Sequence, residues 1–449
     1  MSVLAIEYAG TEFVPIVNWA DNKNLTEKVG WRNYERVTRM IDHLRSQFGG
    51  YYTKPAIGQT LIGLMSLQKP EGVIDLGTGG GSLILAAVRR WPNLNLLTID
   101  IDPMSDQRLA KLLASEAFNC HHHIQTDVLE PELAGMVISD FGRFDAVVCN
   151  PPFTKPLWRN SFKGILEDAG FSGCMPVLAE ADSALLFLAQ ALRLLGQGSI
   201  LGIILPDNMI SGAKYLKFRK DLLRQYQVDA VVRLPRRAFR HTDAIAHIVI
   251  IRKGGGASGL IPLRRFSDGR LSTEAIMVNV EQAIIRMDYN FHAISAPEPD
   301  VTKSLSVSTL GEVALGVHRG SVQATASRQA GMQVFHTTEM PESLTGRWIT
   351  LSPQFPTPGD KRIWAEPGDL LIARVGRNLE RKVVGVRNGH ALLSDCVYRL
   401  RMPPSLATLT LRQLSSDYGR DWLNSRSSGV GAKQLCLADL LTFPIHLTA

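Results

Sequence analysis

Between residues 72 and 251, seven short strand-like segments, most of them rich in β-branched residues, alternate with helix-patterned stretches: GVIDLG, LNLLTID, HHHIQTD, FDAVVCN, SILGIILP, QVDAVVRLP and AIAHIVIIRK. Parallel neighbours in a sheet need a helical crossover between them, and strands covered on both faces read as continuous apolar runs. The alternation therefore predicts an α/β fold, a mainly parallel sheet with helices on both sides. Upstream, Val37, Met40, Ile41, Leu44 and Phe48 fall at helical spacing before a double glycine, which predicts a helical lead-in over residues 1–50. The glycine-rich KGGGASG, residues 253–259, is too short for a free linker and reads as a turn from one strand into the next. Beyond about residue 300 the helix patterns thin and Gly, Pro and Ser punctuate short segments. The expected organisation is a lead-in over 1–50, an α/β domain over 51–295 and an α+β domain over 300–449.

Several function classes are disfavoured at once. No run reaches the roughly 18 apolar residues of a membrane helix, and the N-terminus lacks a basic stretch followed by an apolar core, so a cytoplasmic protein without a membrane partner is expected. Cys120, Cys149, Cys174, Cys396 and Cys436 are odd in number and form no CxxC pair, which predicts reduced, mostly buried thiols. Adjacent histidines of CHHHIQ, residues 120–125, would point to opposite faces of a strand, so no metal site is expected there. A formal charge of +7 permits nucleic-acid binding without requiring it.

VIDLGTGGGSL, residues 73–83, has the order strand, glycine-rich turn, helix start. Such a turn lets backbone approach a ligand closely, and the helix start offers unpaired N–H groups. Asp75 before the glycines disfavours a pyrophosphate and favours a cationic or neutral nucleoside. Asp100 ends the next strand, about 20 residues further on, where an acid accepts hydrogen bonds from a ribose. Asp127 follows the third strand at the same sheet edge and suits an exocyclic adenine amine, although a helix-cap role would give the same residue. Three acids at successive strand ends fit S-adenosylmethionine.

DAVVCNPPFT, residues 145–154, ends a buried strand on Asn150, Pro151, Pro152 and Phe153. Ligands of open α/β sheets sit at the carboxyl ends of the strands, so Asn150 enters the same crevice as the three acids. The two prolines stiffen the backbone and aim the Asn150 amide and the Pro151 carbonyl, two acceptors suited to a planar amino group. Phe153 would stack on the base that carries it. A satisfied Asn at a Pro-Pro turn is the simpler alternative.

FGGYYTKPAIGQTLIGLM, VIDLGTGGG, NPPF, ADSALLFLAQALRLLGQGSILGIILPDNMI and RLPRRAFRHTDAIAHIVIIRKG, in this order over roughly residues 45–255, resemble the gamma group of amino-methyltransferases. More closely they resemble the modification subunit of type I restriction-modification systems, which makes N6-methyladenine in DNA. The resemblance implies a Rossmann-like, S-adenosylmethionine-dependent methyltransferase fold. It implies cofactor binding by Tyr52 or Thr53, Asp75, Gly77, Gly79, Asp100 and Asp127, and catalysis by Asn150, Pro151, Pro152 and Phe153 without a metal. It places Phe239 against a flipped adenine, where a buried core phenylalanine is the alternative. Arg233, Arg236, Arg237 and Arg240 would abut that pocket and hold the DNA backbone.

LGEVALGVHRG, AEPGDLLIARVGRN and SGVGAKQLCLADLLTFPI, over roughly residues 305–447, resemble one target-recognition domain of a type I specificity subunit. Residues 301–449 carry 17 Lys and Arg against 11 Asp and Glu, with Arg374, Arg377, Arg381, Lys382 and Arg387 close together. Such residues could neutralise phosphates. The implied partner is double-stranded DNA. Two departures from the family matter: the lead-in is shorter than in type I modification subunits, and one recognition domain shares the chain, as in a homodimer or a reader of an undivided site. A separate restriction or defence subunit would supply cleavage. The alternatives are an RNA or protein amino-methyltransferase, or a non-catalytic DNA-binding or assembly subunit that keeps the fold.

Overall fold

The computed structural model describes residues 53–239, 243–256, 259–294, 305–323 and 333–448. The expected lead-in, together with Tyr52 and Arg240, lies outside the described residues. All seven expected strands form: β1 (Gly72–Leu76), β2 (Asn95–Asp100), β3 (His121–Gln125), β4 (Phe144–Cys149), β5 (Leu195–Pro206), β6 (Tyr226–Arg233) and β7 (Ala246–Lys253). They are joined by β8 (Ile261–Ser267), β9 (Arg270–Leu271) and β10 (Ile276–Val278). The strand order is β10-β8-β6-β7-β5-β4-β1-β2-β3, with β9 hairpinned onto β8. Strands β1 to β5 pair in parallel, whereas β7 runs antiparallel between β5 and β6. The glycine-rich break after β7 is followed by β8, the next strand of the chain, which lies beyond β6 and pairs with it in parallel.

Helices cover both faces: α1 (Pro55–Leu64), α2 (Ser82–Arg90), α3 (Ser105–Ala114), α4 (Leu133–Phe141), α5 (Ser161–Asp168), α6 (Ser183–Leu194), α7 (Asp207–Ser211) and α8 (Leu216–Gln225). Side chains alternate across a strand, so each strand feeds two cores. Ile74, Leu76, Val147, Leu201 and Ile203 meet Val137, Ile165, Leu185 and Leu222 on one face. Val73, Ala146, Val148, Ile200 and Ile204 meet Ile57, Leu61, Ile84 and Ala87 on the other. Each large aliphatic side chain so buried contributes about 1.5–3 kcal/mol. Helix α1 lies close against β5 because Gly202 has no side chain: a Cβ there would sit 2.6 Å from Leu61 Cδ2. Among the described residues no helix is long and apolar enough to cross a membrane. Cys149 and Cys174 are buried, but Cys120 is exposed and Cys396 and Cys436 are half-buried, so most of the thiols are not deeply buried as expected.

The C-terminal part is α+β. A central sheet contains β12 (Gly316–Arg319), β18 (Val397–Arg401), β15 (Leu370–Ala373), β17 (Val383–Leu392) and β13 (Trp348–Pro353) in that order, with β14 (Trp364–Ala365) also on β17. Two short ladders flank it, β11 (Leu305–Thr309) with β20 (Pro444–Thr448) and β16 (Val375–Gly376) with β19 (Lys433–Gln434). Helices 404–415 and 417–426 complete a core around Leu370, Ile372, Leu411, Leu423 and Phe443.

Polar contacts tie this part to the α/β sheet. Ile245 N–H donates to the Val430 carbonyl at 3.0 Å, and Gly429 N–H to Asp207 Oδ2 at 3.0 Å. Arg286 reaches the Ser425 and Arg426 carbonyls and pairs with Asp439. Asp207 is 2% exposed and also meets His247 Nε2 at 3.0 Å, while Arg233 bridges Asp207 (3.4 Å) and Asp288 (2.6 Å). Arg233 is thus an interior ion-pair partner, not the surface contact to DNA expected from its place in the basic run. Arg219, fully buried, donates to four carbonyls, those of Met209, Gly212, Ile284 and Ile285, and burial lowers its pKa to about 9.

Burial opposes ionisation of Asp207, but the His247 hydrogen bond and the Arg233 charge outweigh it and hold the carboxyl well below its ordinary range. A depressed folded-state value means the stabilisation is complete above the unfolded carboxylate range, about pH 4, and is lost as pH falls from there through the lower value of the folded carboxyl. Asp207→Ala should destabilise the protein by about 3–5 kcal/mol, because it leaves Arg233 with Asp288 alone and takes the acceptor from buried His247 and from Gly429 N–H. In urea unfolding, Asp207→Asn should lose less stability than wild type as pH falls below about 4, where the unfolded carboxylate takes up its proton before the folded one does; parallel losses there would remove Asp207 from this role.

Candidate active site at the carboxyl ends of β1 and β4

Strand β1 has β2 on one side and β4 on the other, and the chain departs in opposite directions from this point. That reversal opens a crevice beyond the strand ends. Asp75, 1% exposed, lies in β1 at its mouth, and neither carboxylate oxygen has a hydrogen-bond partner among the described residues. Burial first, and the nearby Asp100 second, push its carboxyl well above the ordinary range. Thr78, whose hydroxyl lies 3.4 Å from the Asp75 carbonyl, offsets this only in part. A buried carboxyl with open acceptors is unfavourable until a cationic donor reaches it.

The loop after β1 bends through Gly77 (φ +71°), Gly79 (φ +53°) and Gly81 (φ +75°), a region that disfavours side chains. Asp100, ending β2, accepts from Gly79 N–H at 2.7 Å and from Asp102 N–H at 2.9 Å, so it braces the loop. Each carboxylate oxygen keeps a further lone pair for a ligand. Asp127 accepts from Leu129 N–H and from Arg159, both at 2.9 Å; the first bond closes a turn and caps no helix, because the next helix starts only at Leu133.

Four distant segments converge at the end of β4. Asn150 Nδ2 donates to Thr53 Oγ1 at 2.9 Å, which turns the oxygen end of the amide away from Thr53. The Thr53 carbonyl accepts from Ser82 Oγ at 2.8 Å, linking it to the first turn of α2. Thr53 also forms a β-bridge with Phe239, whose ring meets Phe153 edge-on at 6.1 Å and 87°. Phe239 is only 2% exposed and joins the core beside α1. Pro151 is buried and Pro152 half-buried, so the turn is held from both sides.

The basic residues divide. Arg374 is 8% exposed and donates to the Asp395 carbonyl at 2.6 Å, so it packs inside the C-terminal part instead of facing solvent. Arg381 pairs with Glu342 at 3.5 Å, and Lys382 donates to the Thr337 carbonyl at 2.8 Å. Arg377 crosses to the segment after β6, where Arg236 donates to its carbonyl at 3.0 Å. Two contacts here escape sequence reading. Lys54 donates to the Arg237 carbonyl at 2.7 Å, and Asp243 lies between Arg237 and Arg377. Both stand inside motif-bearing stretches, but nothing in spacing alone pairs them. His121 and His123 share a face and both contact the Thr98 hydroxyl, at 2.7 and 2.8 Å. Among the described residues no group of His, Cys, Asp and Glu is arranged to hold a metal ion.

Strand order, glycine loop and strand-end acids define a Rossmann-like methyltransferase fold. Residues 31–261, just over half of the chain, match the N-6 DNA Methylase family, and the chain belongs to it; its cofactor is S-adenosylmethionine. The methylase subunit of the type I restriction enzyme MpnII from Mycoplasma pneumoniae is 24% identical over 239 residues, 49% of this chain and 43% of the relative. A tRNA1(Val) (adenine(37)-N6)-methyltransferase from Porphyromonas gingivalis is 32% identical over 87 residues, 19% of this chain and 33% of the relative. The chain thus spans less than half the length of either relative. A type I restriction-modification methyltransferase subunit from Streptococcus thermophilus is 22% identical in sequence, with a TM-score of 0.42 over 52% of each chain.

The residues present fit this cofactor: the open Asp75 carboxylate matches a cationic ammonium, and the glycine loop admits close approach. Asp75→Asn should weaken S-adenosylmethionine binding by about ten- to a hundredfold, the loss of one charged hydrogen bond. The same change should raise the melting temperature of the ligand-free protein, since it removes a buried unpaired charge. Calorimetric titration and thermal unfolding would check the pair; unchanged affinity would dismiss Asp75 as a ligand.

Proposed function

We propose that this protein is a site-specific DNA methyltransferase that moves a methyl group from S-adenosylmethionine to the N6 amine of an adenine. The observation that carries this reading is the Asn150 amide, oriented by Thr53 beside Phe153 and in the same crevice as Asp75. The adenine leaves the duplex and enters the crevice, at a few kcal/mol that stacking against Phe153 partly offsets. Asn150 and the Pro151 carbonyl accept the two N6 hydrogens, which draws the nitrogen lone pair out of conjugation with the ring. The cofactor supplies a methyl on a positively charged sulfur, so no metal is required for its departure. Phe239, edge-on to Phe153, keeps that ring in place.

Residues 300–449 act as the target-recognition domain, and residues 51–295 as the catalytic domain. A single recognition domain reads an undivided site, or a divided one in a homodimer. The similarity to a type I methylase subunit supports a place in a restriction-modification or defence system with a separate subunit for cleavage. The tRNA methyltransferase match supports a second reading, in which the same turn serves an RNA base.

Unmethylated genomic DNA incubated with labelled S-adenosylmethionine should gain N6-methyladenine at a recurring sequence. Asn150→Ala should lower turnover by about 10²–10³, the usual effect of removing one positioned polar group from a transition state, with cofactor binding retained. Methylation of RNA instead of DNA would select the second reading.

A further inference from the structure

We propose that Arg237 and Arg377 form a binding site for one DNA backbone phosphate, and that Asp243 occupies this site until DNA displaces it. The proposal rests on the reading of the substrate as DNA. Asp243 Oδ1 lies 3.3 Å from Arg237 Nε, and its Oδ2 lies 3.2 Å from Arg377 Nη1. One carboxylate therefore spans two guanidinium groups from distant parts of the chain. A phosphate with two free oxygens makes the same bridge, and arginine favours such planar, paired recognition.

Exposure is arranged for exchange. The side chains of Arg237 and Arg377 are 84% and 72% exposed, whereas Asp243 is 28% exposed. Ion pairs this open contribute little to stability, so Asp243 is easily displaced. The backbone beneath them is held more firmly. Arg237 takes a left-handed φ of +60°, rare for a residue other than glycine, and Lys54 holds its carbonyl at 2.7 Å. Arg236 donates to the Arg377 carbonyl at 3.0 Å and fastens the two segments together. Strained backbone that persists under such restraint is found where a ligand is gripped.

Position agrees with a phosphate next to the extruded base. Lys54 follows Thr53, the partner of Asn150, and Phe239 lies two residues beyond Arg237. The site joins the catalytic segment to the C-terminal part at the edge of the proposed base pocket. Asp243 would hold the arginines in register without DNA and repel a phosphate that arrives poorly placed.

The test is anisotropy of a short labelled duplex of arbitrary sequence, titrated with the full chain at several salt concentrations. Arg237→Ala and Arg377→Ala should each weaken binding roughly three- to tenfold and lower the salt slope by about one. Asp243→Asn should tighten binding roughly three- to tenfold at low salt. Its gain should vanish when both arginines are replaced. A gain that persists in that background would reduce Asp243 to a distant repulsive charge and overturn the proposal. So would weaker binding by Asp243→Asn with unchanged thermal unfolding, which would make the carboxylate an orienting group only. Wild type that binds duplex while every variant matches it defeats the phosphate site and leaves the DNA reading standing. Wild type that binds S-adenosylmethionine but no duplex at any salt defeats both.

Discussion

Parallel pairing is the constraint on which the rest depends. Because β1 accepts β2 on one side and β4 on the other, the carboxyl ends of the strands face the same edge. Asp75, Asp100, Asp127 and Asn150 are far apart in sequence, yet each stands within or just past a strand that must finish there. The helical crossovers that parallel strands require also supply the two cores, so the site and its support have one origin. Nothing in the site would survive a change of strand order. Antiparallel β7 completes the sheet without adding a strand end to the crevice.

The second half of the sheet is held differently. Around β6 and β7 the packing includes buried Asp207, His247, Asp288 and Arg219 and the largely buried Arg233, mutually hydrogen-bonded or paired with main chain. Gly429 and Val430 of the C-terminal part enter this network. Buried ionic groups demand good geometry, since a missing partner leaves an uncompensated charge. That demand fixes where the C-terminal part sits relative to the strand ends, more sharply than apolar contact alone would do.

Periodicity made the α/β half legible. The seven segments became β1 to β7; most are apolar because a strand buried on both faces has few ways to be written, whereas β3, at the sheet edge, is half-exposed and carries three histidines. Asp75 and Asn150 were legible for a related reason: a polar residue at the end of an apolar run has no structural need to be there. Tertiary pairing was not legible. Arg233 and Arg374 look like their neighbours in a basic run, but one faces Asp207 and Asp288 and the other Asp395. The Asn150–Thr53 bond joins residues 97 apart, and the Asp243–Arg377 pair joins two parts of the chain; no local pattern encodes either.

On the proposed reading, Asp75 and Asp243 are two ways of preparing a site for a charged ligand. Asp75 is enclosed, and its carboxylate has no hydrogen-bond partner among the described residues, so the protein bears the penalty of a buried carboxyl until a cation arrives. Such a site discriminates by charge, since a cationic donor offsets the penalty more fully than a neutral one and an anion adds to it. Asp243 is more exposed and already paired, so its arginines are ordered before an anion arrives, and the ion pair adds little that must be broken. The first arrangement gives tight selection of a small cofactor. The second gives rapid exchange along a repetitive polyanion, where a strong resident contact would trap the enzyme at every phosphate. Each arrangement thus suits the ligand that its location favours.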